Sequence, residues 1–268
     1  MKLNQDGINP EDKQLAISVR NYLISGNRVI GDPGEGLRQT LQKLEAKKQE
    51  QESVGITEWV VKDSELASQI AMTKAGIEGE EKLCDYLQTL IKYDDKLSCI
   101  VAFASLSYNL DNNTKDYIPD TDTLLVCGNN ILIIDAKNLK TKPNQALMLM
   151  QGVVVDADKG KEVLAVHPST HIWENIFNNA DIPYNSIDGY VCIVNDVDTE
   201  IIKNEEWYEC HNKLIHIAEL KEILEEWVDG ISNKTLSLKM LTEISKAQIK
   251  KEKELSFDVN ALKRKFGI

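Results

Sequence analysis

Residues 119–140 read PDTDTLLVCGNNILIIDAKNLK, two apolar runs separated by a Gly-Asn-Asn turn. The runs at 121–127 and 131–137 are rich in Leu, Ile and Val and have the length of buried strands. A short glycine-asparagine turn folds two neighbouring strands back on each other. The stretch therefore predicts a β-hairpin.

Strand side chains point alternately to two faces, which determines where the polar residues of this hairpin lie. Asp135 and Lys137 fall on one face of the second strand, and Asp122 lies on the apolar face of the first. The turn brings Asp122 close to Asp135. Two carboxylates at the mouth of an apolar sheet repel each other and are costly to desolvate, and a divalent cation neutralises both. We expect Mg²⁺ or Mn²⁺, because hard oxygen ligands favour these ions over zinc.

The chemistry that uses such a group is metal-assisted hydrolysis of a phosphodiester. Lys137 would hold the nucleophilic water or stabilise the charge that develops on phosphorus. Asp120 lies on the same strand face as Asp122 and is an alternative metal ligand. Asp122 is preferred because it directly precedes the apolar run. An Asp-x-Lys pair alone is common at exposed strand ends, so the interpretation depends on Asp122 across the hairpin.

Apolar spacing along the rest of the chain predicts helices on both sides of the hairpin. Three helices are predicted from apolar positions: one with Leu15, Val19 and Leu23, one with Leu37, Leu41 and Leu44, and one with Leu66 and Ile70 on its buried face. Three more are predicted over 79–91, 168–180 and 219–228. The further predicted strands are 98–108, 147–155, 190–194 and 214–217. Helices alternating with strands in this order predict a mixed α/β domain. We divide the chain into a helical accessory region (1–75), an α/β core (76–230) and a basic helical tail (231–268).

Composition limits the classes of partner. The 268 residues include 31 Lys and Arg against 43 Asp and Glu, a net charge of −12, which argues against a nonspecific coat for nucleic acid or anionic lipid. The sequence has no uncharged apolar window of membrane-spanning length, and its start lacks the apolar segment of a signal peptide. Its five cysteines form no Cys-x-x-Cys pair. We expect reduced thiols, a cytoplasmic location and no membrane partner.

Three short motifs resemble the nuclease-related domain (NERD) family of the PD-(D/E)XK nuclease superfamily. They are Gly76-Ile77-Glu78-Gly79-Glu80, Asp122-Thr123-Leu124-Leu125-Val126 and Ile134-Asp135-Ala136-Lys137-Asn138. The resemblance implies a restriction-endonuclease-like core, with a mixed central sheet flanked by helices. It implies that Asp122, Asp135 and the backbone of Ala136 bind the metal, that Lys137 is the catalytic lysine, and that Glu80 is the carboxylate contributed by the helix.

His171 is a further candidate, for orienting the substrate. His167-Pro168-Ser169-Thr170-His171 stands where the family tends to show Asn-Pro-x-x-Gln at the start of its second core helix, so that His171 replaces the glutamine. Asp135 is also a departure, because the family more often carries Glu there. The two histidines are spaced like half of a zinc site, but a helix start with Pro168 at its first position explains them as well.

The expected function is that of an Mg²⁺- or Mn²⁺-dependent endonuclease acting on nucleic acid, with DNA preferred over RNA. The alternatives are a non-catalytic nuclease-like module that acts with a partner protein, and a phosphohydrolase acting on nucleotides. The core carries most of the negative charge and no clear basic groove, whereas 231–268 contains nine basic and four acidic residues. Phosphate contacts come from Lys and Arg. The tail, a second copy of the chain or a partner protein held by the helical ends would therefore grip the substrate.

Overall fold

A computed structural model of the chain describes residues 2–53, 65–107, 120–139, 146–150, 153–165, 170–195, 200–202 and 212–248. The helices are α1 (Lys13–Ile24), α2 (Glu35–Ser53), α3 (Glu65–Tyr93), α4 (Thr170–Asn179), α5 (Leu220–Asp229) and α6 (Leu238–Lys246). The strands are β1 (Leu3–Asn4), β2 (Val29–Ile30), β3 (Val101–Ser107), β4 (Asp120–Cys127), β5 (Asn130–Lys137), β6 (Ala146–Met150), β7 (Val153–Asp156), β8 (Lys161–Ala165), β9 (Ser186–Ile193), β10 (Glu200–Ile202), β11 (Asn212–His216) and β12 (Leu236–Ser237). Within these ranges, no helix is both long and apolar enough to cross a bilayer.

Six strands form a mixed sheet in the order β11-β9-β5-β4-β3-β2. The predicted hairpin is confirmed: β4 and β5 are antiparallel, with Cys127 opposite Asn130 and Thr123 opposite Ile134. β3 is antiparallel to β4, whereas β9 runs parallel to β5 and β11 parallel to β9. The hairpin is thus at the centre of the sheet, where both faces are covered and the apolar runs are buried.

Helices cover both faces of this sheet, which confirms the predicted α/β class. Helices α1, α4 and α6 pack on one face, and the side chains of Trp173 and Phe177 in α4 are fully buried there. Helices α3 and α5 pack on the other face, through Leu83 and Leu87 of α3 and Leu224 of α5. Alternation along β4 and β5 sends successive apolar residues into these two cores, because each strand presents every second side chain to the same face.

One predicted strand is wrong in its extent. The run 147–155 is two antiparallel strands, β6 and β7, with Met150 opposite Val153. They form a second sheet of four strands in the order β10-β6-β7-β8. Continuous apolar sequence does not mark where a strand reverses, and only Gly152 indicated a turn here.

Helix α3 runs without interruption for 29 residues, so the predicted boundary at residue 76 falls inside a helix. The residues before it also join the core. β2 pairs in parallel with β3, and α1 packs on α6 over one face of the sheet. The described part of the predicted tail contributes β12 and α6 to the same packed body, because the apolar side of α6 lies in the core beside β3 and β4.

Gly31 lies where β2 ends and the chain passes close to β3. Its φ is +107°, and a Cβ there would lie 2.3 Å from the backbone oxygen of Ala104. Gly26 also has a positive φ, +94°, but a Cβ there would meet nothing within 4 Å. We expect Gly31→Ala to lower the free energy of unfolding by about 3 kcal/mol and Gly26→Ala by about 1 kcal/mol, because both add backbone strain but only the first adds a clash. Urea unfolding measures both, and equal losses would contradict the close approach at Gly31.

Candidate active site

The hairpin opens at the end away from its turn, and Asp122 lies at this opening. The regular pairing of β4 with β5 ends at Thr123 and Ile134. Beyond it, the backbone N–H of Ala136 donates to Oδ2 of Asp122 at 2.8 Å. The Asp122 carboxylate thus contacts β5 directly beside Asp135, as the sequence predicts.

Asp135 and Lys137 form an ion pair at the end of β5. Nζ of Lys137 lies 2.5 Å from Oδ1 of Asp135. The two side chains are 17% and 24% exposed for Asp135 and Lys137 respectively, so a ligand from solvent can reach both. Because residues two apart on a strand point to the same face, this pair follows from the alternation of β5.

Glu80 reaches the same region from helix α3. It is only 7% exposed, and its Oε2 accepts hydrogen bonds from the N–H of Gly34 at 2.9 Å and from Oγ of Ser105 at 3.4 Å. Ser105 lies on β3, the strand next to Asp122, and adopts a φ of +51°. A serine rarely adopts this conformation, and such strain is concentrated at functional sites. The strained strand end and the loop before α2 therefore hold the Glu80 carboxylate in place.

Two glycines let helix α3 approach its neighbours closely. A Cβ on Gly79 would lie 3.0 Å from Cβ of Asn138, and one on Gly76 would lie 2.7 Å from Cδ1 of Leu37. Asn138, just after β5, also donates from Nδ2 to the backbone oxygen of Ala75 at 2.9 Å. The Gly-x-x-Gly-Glu motif and the Asp-x-Lys-Asn motif are therefore in contact, and this contact brings Glu80 to the end of the hairpin.

The acidic groups of the site act on one another electrostatically. Burial raises the pKa of Asp122 well above its ordinary value, and the negative charges of Asp135 and Glu80 raise it further, against the opposing effect of Lys137. Burial alone would lower the pKa of Lys137, but the nearby carboxylates outweigh it and the pKa is raised. Lys137 is therefore a cation at neutral pH, suited to donate hydrogen bonds and to stabilise negative charge rather than to accept a proton.

The donor set suits a hard divalent cation in charge and in ligand type. Three carboxylates and one ammonium interact here, which leaves two negative charges in excess when all are ionised. Oxygen ligands and this charge fit Mg²⁺ or Mn²⁺. Across the described ranges, no three His, Cys, Asp or Glu side chains lie close enough together to hold a metal ion. Two of the carboxylates are engaged instead with the Ala136 amide and with Lys137.

The other candidate residues are not brought to this group by any described contact. His171 is exposed in the first turn of α4 and stays a prediction, while His167 lies outside the described residues. From the same helix, Trp173 contacts β4, and its Nε1–H donates to Oγ1 of Thr121 at 3.0 Å. Asp120 pairs with Ser107 at the start of β4, and the carboxylate that accepts the Ala136 N–H of β5 is that of Asp122.

Sequence reasoning missed the contribution of the segment before α3. Glu35 is 3% exposed, and its N–H donates to the same Ser105 hydroxyl at 3.2 Å. Arg38 bridges Asp32 at 2.6 Å and Glu81 at 2.7 Å, next to Glu80. The stretch 31–34 indicated only a break between helices, although an acidic residue directly after Gly34 was a visible signal.

No family model, curated protein or solved structure matches this chain.

Proposed function

We propose that this chain is a metal-dependent nuclease of the PD-(D/E)XK type, which hydrolyses phosphodiester bonds of nucleic acid, with DNA preferred over RNA. The proposal depends mainly on one observation. Four charged side chains from two strands and a helix interact electrostatically where the central hairpin opens: Asp122, Asp135, Lys137 and Glu80. The NERD-like order of the three motifs supports it, because the contact between α3 and the residue after β5 joins the first motif to the last.

The carboxylates would hold the metal. Asp122 and Asp135 would be the ligands, together with the backbone oxygen of Ala136, and Glu80 would assist them from helix α3. A bound Mg²⁺ or Mn²⁺ supplies polarisation of the phosphate and a lowered pKa for the attacking water. Glu80 is buried and held by Gly34 and Ser105, so it can orient a neighbouring group without having to reorganise.

Lys137 would act as a fixed cation. Its ammonium remains protonated at neutral pH, because the surrounding carboxylates raise its pKa despite partial burial. The Nζ–H groups can donate to the attacking water and to the phosphoryl oxygens, where negative charge increases in the transition state. The contact with Asp135 limits the freedom of the Lys137 side chain, so little ordering remains to be done when the substrate binds.

The substrate would be gripped outside the acidic core. Neutralising phosphates requires Lys or Arg, and the basic residues are concentrated in 231–268, most of them after residue 248. We include this tail in the proposal as the phosphate-binding segment, alone or together with a second copy of the chain or a partner protein.

A non-catalytic nuclease-like module is the second candidate. The observation that favours it is the internal pairing of the site, in which Asp135 binds Lys137 and Asp122 binds the Ala136 amide. In such a module this ion pair and hydrogen bond would be purely structural, and a partner protein would supply the activity.

Cleavage assays on the full chain separate these candidates. We expect linear, supercoiled or single-stranded DNA to be cut with Mg²⁺ or Mn²⁺ and not with EDTA, and RNA to be cut less. Asp135→Asn should lower the rate by about 10³-fold, since it removes a metal ligand with little change in shape. Asp229→Asn is the control, because Asp229 also pairs with a lysine, Lys96, but at the other end of the sheet.

If no cleavage is observed, direct titration of the chain with Mn²⁺ distinguishes the remaining explanations. Absence of both cutting and metal binding in the unmodified chain would replace the nuclease with the binding module. Absence of cutting with binding that Asp135→Asn abolishes would point to a required partner.

A further inference from the structure

Two cysteines face each other at the end of the main sheet away from the candidate active site. Cys127 is the last residue of β4, and Cys99 ends the short 3₁₀ turn Leu97–Cys99 before β3. Their Sγ atoms are 3.4 Å apart, and both thiols are free. The two thiols are nucleophilic groups that the proposed nuclease chemistry does not use.

The position of this pair follows from the register of β3 and β4. Val101 lies opposite Val126, so Cys99 and Cys127 stand just beyond the last pair of the ladder. Asp122 lies five residues back along β4, roughly 17 Å away at strand spacing. The inference is therefore independent of the proposed function.

The two thiols differ in access and in acidity. Cys99 is partly exposed, whereas Cys127 is fully buried. The Cys127 S–H donates to Cys99, which together with the charge of Lys234 lowers the pKa of Cys99 to about 7 against the opposing effect of burial. The same hydrogen bond and burial raise the pKa of Cys127. A reactive thiolate near the surface thus has a protonated thiol directly behind it.

We propose that Cys99 and Cys127 are a peroxide-reactive pair that closes to an intramolecular disulfide. The Cys99 thiolate attacks one oxygen of hydrogen peroxide and the O–O bond breaks, which leaves a sulfenic acid on Cys99 and releases hydroxide. The Cys127 sulfur then attacks the Cys99 sulfur, and the S–O bond breaks. The departing hydroxide takes the Cys127 proton and leaves as water. In total, one thiolate and one thiol lose two electrons, and the peroxide is reduced to one hydroxide ion and one water molecule.

Little movement is needed for this closure. A disulfide joins two sulfurs about 2.05 Å apart, so the Sγ atoms must approach by about 1.4 Å. The same contact places Cys127 as the resolving thiol for an oxidised Cys99 among the cysteines that the structure describes. The other described cysteines, Cys84 and Cys192, are buried, and burial raises the pKa of each thiol, to about 12 for Cys84. These two thiols therefore serve as internal controls.

Peptide mapping of the full chain tests the proposal. Trypsin separates Cys99 from Cys127, because cleavage after Lys96, Lys115 and Lys137 puts them on peptides 97–115 and 116–137. After treatment of the reduced protein with hydrogen peroxide and blocking of free thiols, we expect these two peptides to be joined by a bond that dithiothreitol breaks. Cys84 and Cys192 should be recovered as free thiols alkylated after denaturation.

Variants and a thermal shift give independent readouts. Cys99→Ser and Cys127→Ala should each abolish the linked peptide, and Cys127→Ala should leave a sulfenic acid on Cys99 that dimedone traps. Cys192→Ala is the matched buried control and should keep the link. Oxidation should raise the Tm by about 5 °C, reversibly, because the bond closes a loop of some 28 residues in the unfolded chain.

Alkylation kinetics report on the Cys99 thiolate. The rate of modification of Cys99 by iodoacetamide should rise with pH around a midpoint of about 7, and Cys127→Ala should move this midpoint upward. Recovery of both peptides unlinked, a sulfinic acid on Cys99 with Cys127 still reduced, a link to Cys210 or a dimer joined between chains would each overturn the proposal.

Discussion

Lys137→Ala is expected to lower the rate of metal-dependent DNA cleavage by about 10³-fold. Lys137 is paired with Asp135 and interacts electrostatically with Asp122 and Glu80, and its raised pKa keeps it charged at the pH of the assay. In the proposed mechanism, its removal would take away the donor for the attacking water and the phosphoryl oxygens. The measurement is single-turnover cleavage of linear DNA with saturating Mg²⁺, so that binding and product release do not mask the chemical step.

A second lysine provides the matched control. Lys96 lies 2.7 Å from Asp229, at the end of the sheet where β3 begins. The Lys96→Ala variant should cleave DNA at a rate within about twofold of that of the unmodified chain, because the substitution removes a surface ion pair that contributes little to stability. Lys137→Arg should recover part of the lost rate, since it keeps the charge and changes the geometry. Cleavage by Lys137→Ala at the unmodified rate would remove Lys137 from the mechanism.

Asp122→Asn is expected to abolish cleavage while making the metal-free protein more stable at neutral pH. The pKa of Asp122 is raised by burial and by the charges of Asp135 and Glu80, so its ionised form is held at a cost in the folded protein. Asparagine keeps an oxygen that can accept the N–H of Ala136 and removes the charge. In EDTA we expect the free energy of unfolding of Asp122→Asn to exceed that of the unmodified chain by about 1 kcal/mol, which corresponds to a rise of roughly 3 °C in Tm.

The stability gain of Asp122→Asn should depend on pH, in a direction that follows from the raised pKa of Asp122. A carboxyl group whose pKa is raised by folding binds more protons in the folded state than in the unfolded state. This holds at pH values between its ordinary pKa of about 4 and its raised pKa. Over that interval stability falls as pH rises, and above it the loss is complete. The difference in the free energy of unfolding between Asp122→Asn and the unmodified chain should therefore be smallest below about pH 4 and grow toward neutral pH.

Divalent cations should reverse the order of stability. If the proposed site binds Mg²⁺ or Mn²⁺, the cation should raise the Tm of the folded protein by mass action, and this gain should be lost or reduced in Asp122→Asn. Thermal unfolding in EDTA and in Mn²⁺, over pH 4 to 8, makes both comparisons. An Asp122→Asn chain that is less stable than the unmodified one in EDTA at neutral pH would mean that the amide of Ala136 and the charge of Lys137 fully compensate the Asp122 carboxylate.

The internal energetics of the site distinguish a functional group from a structural ion pair. Three carboxylates around one ammonium would be a poor choice for stability alone, because a buried charge that is not matched weakens the fold. The strained φ of Ser105, which supports Glu80, is a second such cost in the same place. Local costs of this kind are expected where binding or chemistry requires them.

The hairpin and the arrangement of its polar end could be predicted from local sequence pattern. Alternation has a period of two along any strand, so the pairing of Asp135 with Lys137 and the position of Asp122 across from them follow from local pattern and turn chemistry alone. The buried faces of the helices around Leu83 and Trp173 could be read in the same way from their spacing. The pattern was insufficient at 147–155, where an apolar run does not record a reversal of direction.

The residues that surround this hairpin end come from distant parts of the chain and could not be predicted from local pattern. Gly34 donates to Glu80 across 46 positions of sequence, and the Cys127 thiol donates to Cys99 across 28. Such contacts depend on how closely a helix packs on a sheet and on where two strands come into register. No local periodicity encodes either of these, since each results from burying apolar surface that is distant in sequence. The residues that bear the site's chemistry were therefore visible in the sequence, whereas the residues that hold them in place were not.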